Sequence, residues 1–141
     1  AMLAAVGESL AAWRLARPGL DVHLVRGNHD RAAGDPPADW AVQVHAEPWP
    51  LGPWALCHEP QSVPGAYALA GHWHPCVALQ GPARDRLRLP CFWFGDPVRH
   101  AVGVLPAFGD FTGMHPIDRR TGDRVWVVAR DTVRELAHRP V

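Results

Sequence analysis

Lysine is absent from this 141-residue sequence: all 14 basic side chains are arginine, and 14 acidic ones balance them to a formal net charge of zero. Such a balance argues against a surface devoted to electrostatic capture of nucleic acid, although a local arginine patch stays open. Cysteine is scarce and odd in number. Cys57, Cys76 and Cys91 make no disulfide framework, which points to a reducing compartment and a cytoplasmic location. Long hydrophobic runs are missing too, so no segment has membrane-spanning length. The opening Met2-Leu3-Ala4-Ala5-Val6 lacks a basic flank, is broken by Glu8, and makes a poor signal peptide. There is no internal repeat, no linker and no low-complexity tract. Length alone leads one to expect a single domain over residues 1–141, large enough to bury most of its apolar surface.

What the sequence has in quantity is punctuation: 15 prolines and 13 glycines separate short apolar runs. Leu3, Val6, Leu10 and Trp13 recur at three-and-four spacing and predict an amphipathic helix over Met2–Leu15, ended by Pro18-Gly19. Asp21–Arg26 reads as a strand, 27–30 as the loop at its end, and 31–39 as loop or short turn. Trp40–His45 alternates weakly as a strand would, and 47–53 is turn-rich. Trp54-Ala55-Leu56-Cys57 is a compact strand that delivers His58, and Tyr67-Ala68-Leu69-Ala70 is another that ends in Gly71-His72. Val77–Leu79 and Leu87–Leu89 flank Gly81-Pro82 as the arms of a hairpin. Cys91–Phe94, Ala101–Leu105, Val125–Ala129 and Val133–Leu136 complete the strands. The chain opens in mid-pattern, which leads one to expect sequence ahead of Ala1.

Three of these strands end in a polar group able to bind or move charge. Asn28 offers a neutral oxygen, and His58, His72 and His74 offer imidazoles. On an extended segment His72 and His74 would point to one side, whereas at a strand end they can diverge to serve two neighbouring ions. Mixed nitrogen and oxygen ligation suits Mn, Fe, Co or Zn better than Ca. His29, beside Asn28, cannot easily reach the same ion and is free to give a proton to a leaving group. Asp30 either orients His29 or caps the loop. Arg31 and Arg26 could neutralise a phosphate, and Trp73 could line a substrate cleft. Each has a plainer reading as a turn, surface or packing residue. His23, His45, His100, His115 and His138 read as surface or structural. A structural zinc on Cys57 or Cys76 with the histidines competes, but Cys57 should alternate away from His58 into the core.

The run Leu24-Val25-Arg26-Gly27-Asn28-His29-Asp30-Arg31, then Cys57-His58-Glu59-Pro60, Ala70-Gly71-His72-Trp73-His74-Pro75 and Leu105-Pro106-Ala107-Phe108-Gly109-Asp110-Phe111-Thr112-Gly113, resembles the calcineurin-like metallophosphoesterases. Within them it is most similar to the ligase-associated DNA-damage-response endonucleases. The resemblance implies an α/β, metallophosphoesterase-type αββα sandwich that lacks its first strand-helix-strand portion. It implies two divalent ions, usually manganese, about 3.5–4 Å apart, activating water against a phosphodiester. Carried over residue by residue, Asn28, His58 and His72 would hold one ion, His74 would help hold the other, and His29 would serve the departing alkoxide. DNA is the implied substrate, with DNA ligase and helicase repair proteins as associates. The family's first block, Asp-x-His at the end of a strand ahead of the Asn28 block, is not in this chain. Nor is the following Gly-Asp block, whose carboxylate bridges the ions. By itself the chain is therefore expected to be a weak or inactive hydrolase, with an unpaired sheet edge that favours a homodimer. Two rivals remain: the same machinery acting on small phosphoesters, and a non-catalytic metal-binding remnant.

Overall fold

A computed structural model describes residues 2–80, 86–109 and 112–137, with side chains described from Gly7 onward. The chain divides into two compact units, 1–47 and 48–141. It is a mixed α/β protein with one large sheet and few helices, an arrangement compatible with a sandwich.

In the first unit, α1 (Met2–Leu15) occupies the span that the apolar spacing predicts. Arg14 continues its last turn into tertiary structure, with Nε donating to the Trp40 carbonyl at 2.9 Å and Nη1 to the Leu20 carbonyl at 2.8 Å. β1 (Val22–Val25) and β2 (Val42–His45) pair in parallel, Val22 opposite Val42 and Val25 opposite His45. Between them the expectation of loop is corrected. Residues Asn28–Ala33 form helix α2, and Ala38–Trp40 a single 3₁₀ turn. Six residues are too few to show a hydrophobic period, so the pattern carried no helical signal.

Among the described residues, the second unit holds nine strands in one sheet. β4 (Trp54–Cys57), β5 (Tyr67–Ala70) and β8 (Val102–Val104) run parallel, with Cys57 opposite Ala70 and Ala70 opposite Val104. Their alternate residues Cys57, Ala68, Ala70, Val102 and Val104 are buried as the core, and Val63 and Trp93 pack against it. β3 (Trp49–Leu51) lies on the outer side of β4, inside a stretch expected to be all turn. Its middle residue is Pro50, which the ladder tolerates because this is an edge strand. β7 (Arg86–Phe94) absorbs two expected strands into one. Its first half pairs with β6 (Pro75–Gln80), and its second half with β8 and β10 (Arg124–Ala129). The hairpin's Gly81-Pro82 turn lies outside the described residues. β9 (His115–Pro116) pairs in parallel with β6, and β11 (Thr132–Glu135) closes the far edge against β10.

Close backbone approach explains one glycine. A Cβ on Gly103 would stand 2.6 Å from Cδ1 of Phe94, its ladder partner across β7–β8. Among the described residues no helix is long and apolar enough to cross a membrane.

Candidate functional site

The parallel arrangement of β4, β5 and β8 brings their carboxyl ends to one edge, where open α/β sheets present polar groups. His58 follows β4 directly and His72 follows β5 by two residues, and the Gly71 amide donates to the His58 carbonyl at 3.3 Å. The side chains meet: Nδ1 of His72 and Nε2 of His58 are 2.8 Å apart, with the rings edge to face at 71°. One ring must carry the shared proton and the other accept it. His58 is half-buried and His72 exposed.

His72 and His74 diverge. Nδ1 of His74 stands 3.0 Å from the Gly113 carbonyl, away from the His58–His72 contact partner. Both residues have left-handed backbones, φ 59° for His72 and φ 48° for His74. That conformation costs a side-chain-bearing residue on the order of 1–2 kcal/mol. Such strain persists only where the surroundings fix it, and it concentrates at functional sites.

The donor set can be tested against an ion. Two imidazole nitrogens each about 2.1 Å from one ion would stand about 3.0–3.4 Å apart. The 2.8 Å separation of His58 and His72 is within a few tenths of an ångström of that spacing. Among the described residues, no three His, Cys, Asp or Glu side chains gather into a metal-holding group. The imidazole pair is thus spaced as two donors to one ion would be, with no third His, Cys, Asp or Glu gathered beside it among the described residues. The alternative Cys/His zinc is not assembled. Cys57 and Cys76 are buried and in no disulfide, and the Cys57 thiol points into the core, 3.8 Å from the Ala55 carbonyl.

Asn28, His29, Asp30 and Arg31 lie on the first turn of α2, in the first unit; Asn28 and His29 are exposed. Asp30 accepts the Gly27 amide at 2.7 Å, the carboxylate half of a capping box, since Gly27 has no side chain to return the bond. Arg31 faces Glu47 at 3.8 Å with most of its side chain in solvent. Arg26 donates through Nε to Asp35 at 2.8 Å, and the bond raises its pKa while holding the Asp35 carboxyl below the usual range. The chain's sole Asp-x-His, Asp21-Val22-His23, stands at the start of β1, not at a strand's end; His23 instead meets His45, ring nitrogens 3.0 Å apart.

Sequence neighbours of the two histidines help to line a cleft of about 420 Å³. It is lined by Pro60, Gln61 and Ser62 after His58, by Trp73 between His72 and His74, and by Trp93, His100, His115, Asp118 and Arg120. Trp93 is fixed from behind by buried Asp123, which accepts its Nε1–H at 3.0 Å and the Arg120 amide at 2.9 Å. The buried thiol of Cys91, two residues before Trp93, is pushed up to about 12, first by burial and then by Cys76. Sequence reasoning places Trp73 at a cleft. It does not find Gln61, Ser62, His100, His115 or Arg120, which come from four separated segments with no spacing signal.

The crystal structure of the Pseudomonas putida nuclease MPE superposes on this chain with a TM-score of 0.77 and 44% sequence identity, over 91% of this chain and 60% of the nuclease. The chain is similar to a nuclease. It spans about three fifths of that protein's length. No protein-family model and no curated protein sequence matches it.

Proposed function

We propose that the chain is the larger part of a metal-dependent phosphodiesterase of nuclease type, of metallophosphoesterase fold, acting on DNA. The observation that carries the reading is the meeting of His58 and His72 at parallel strand ends, in a chain 44% identical to a nuclease. In this reading Asn28, His58 and His72 hold one divalent ion, and His74 belongs to a second; manganese is the first choice, with Fe, Co or Zn as substitutes. Bound ions would supply Lewis acidity toward the phosphodiester and make water more acidic.

The chain's own residues do the rest. His29, exposed on the first turn of α2, hands a proton to the departing alkoxide oxygen. Asp30 holds the Gly27 turn that presents it. Arg31 contributes positive charge toward phosphate, and Trp73 borders the substrate. A cytoplasmic location fits three thiols in no disulfide, and repair ligases or helicases are the proposed associates, with a homodimer as the proposed assembly.

The test is calorimetric Mn²⁺ binding together with hydrolysis of bis-p-nitrophenyl phosphate. Both are measured on this chain and on a longer form that carries the Asp-x-His and Gly-Asp blocks. This chain is expected to bind Mn²⁺ and the longer form to hydrolyse as well. His29→Asn should lower hydrolysis at least about 100-fold while leaving Mn²⁺ bound, as befits lost proton transfer. Loss of the ion in that variant would show that His29 has been given the wrong role. The second reading, a metal-binding remnant, is favoured by the meeting of only two imidazoles among the described residues. Mn²⁺ binding without hydrolysis in either form would select it.

A further inference from the structure

We propose that the cleft lined by the loops that follow His58 and His72 is a base pocket, taking one nucleobase of a nucleic-acid substrate against Trp73. This rests on the phosphodiesterase reading and adds to it what the substrate must present next to the cleaved bond.

Trp73 is 43% exposed although its ring is held from two sides, with centroids 6.1 Å from Trp93 and 6.5 Å from His115. A core tryptophan would bury that area; here Trp73 lines the cleft with part of its ring system accessible for stacking. The cleft of about 420 Å³ is of the size that accepts one small planar group with its sugar, and it is too small for a duplex. Its polar lining suits the edge of such a group. Gln61 offers both a donor and an acceptor, and Ser62 a hydroxyl. Arg120 offers a guanidinium for a flanking phosphate or a second stack. The location decides the assignment. Residues 60–62 follow His58 and Trp73 follows His72, so the same two loops build the pocket and the histidine pair. A base seated there would lie against the loops that carry the imidazoles.

The probe is a fluorescein-labelled decathymidylate, its binding to the full chain followed by anisotropy in EDTA so that no bond is cut. A decamer of the abasic sugar-phosphate, with the same charge and no bases, is the second ligand. The decathymidylate is expected to bind more tightly than the abasic decamer. Trp73→Ala should weaken its binding about five- to hundredfold, the range for one lost base–aromatic stack. Trp73→Phe, which keeps a ring, should stay within about threefold, and neither variant should alter binding of the abasic decamer. Equal affinity of the unaltered chain for both decamers, or binding of neither, overturns the pocket without needing any variant to fold. Mn²⁺ binding separates the two failures. If the unaltered chain binds no Mn²⁺, the phosphodiesterase reading falls whatever the anisotropy shows. If it binds Mn²⁺ but ignores the bases, only the pocket falls.

Discussion

At the scale of single residues, Asp30 shows how one carboxylate suits two roles in a sequence and has one in a structure. Its bond to the Gly27 amide satisfies a donor that α2 would otherwise leave open. Asp30→Ala should therefore lower the stability of the first unit by about 1 kcal/mol, the usual value of a lost cap. Urea titration followed by circular dichroism would measure it. A role confined to orienting His29 would instead leave the midpoint unchanged. Asp123 is the stronger case. It is 4% exposed and accepts two N–H donors, from Trp93 and Arg120, so Asp123→Ala strands both beside a small cavity. The expected cost is about 2–3 kcal/mol, since bonds to a charged acceptor exceed neutral ones. Asp123→Asn should recover part of it. What was legible at this scale was position: His58 and His72 could be placed after strand ends because each follows a short apolar run, and there they meet. Asp123 was not legible. It sits in a Gly-Asp turn whose letters say surface, and only the tertiary approach of Trp93 buries it.

Among the elements, the strands were readable where a short apolar run was bounded by turn residues. Trp54–Cys57 and Tyr67–Ala70 are such runs, and as β4 and β5 they bury every second residue. What escaped was short or contradicted by one residue. α2 is six residues long, β3 contains Pro50, and β7 passes through Pro90 at the point where it changes partners. β8, expected over Ala101–Leu105, is three residues long with Gly103 in the middle, opposite Phe94. The Phe94 side chain occupies the volume that any Cβ at 103 would need. Gly103→Ala should then cost about 1–3 kcal/mol from overpacking, readable as a lower thermal midpoint. Phe94→Leu combined with it should restore part of the loss. If the two changes simply add, the contact is not what keeps residue 103 small.

For the molecule as a whole, pH and metal are the levers, and their signs differ. The Asp35 carboxyl is held below its ordinary range by Arg26, so its contribution is present above that range and fades as pH falls through the folded value. Because the pair is exposed, the effect is small. Cys91 works from the other side: a thiol raised to about 12 stays neutral in the fold but ionises near 8.5 when unfolded. Stability is intact below that pH and declines as pH climbs toward 12, a slope that Cys91→Ala should flatten. All three thiols should also resist dithionitrobenzoate until denaturant is added, being buried and in no disulfide. Metal tests the proposed centre without any substrate. An ion that binds only the folded chain stabilises it by mass action, by about 2.7 kcal/mol at one hundred times its dissociation constant. Mn²⁺ should therefore raise the thermal midpoint in proportion to the logarithm of its concentration. His72→Ala should abolish that rise and Asn28→Ala should weaken it, whereas Trp73→Ala should leave it as it was. A rise that survives His72→Ala would place the ion elsewhere, and the histidine pair would be left as an ordinary hydrogen bond at the end of two strands.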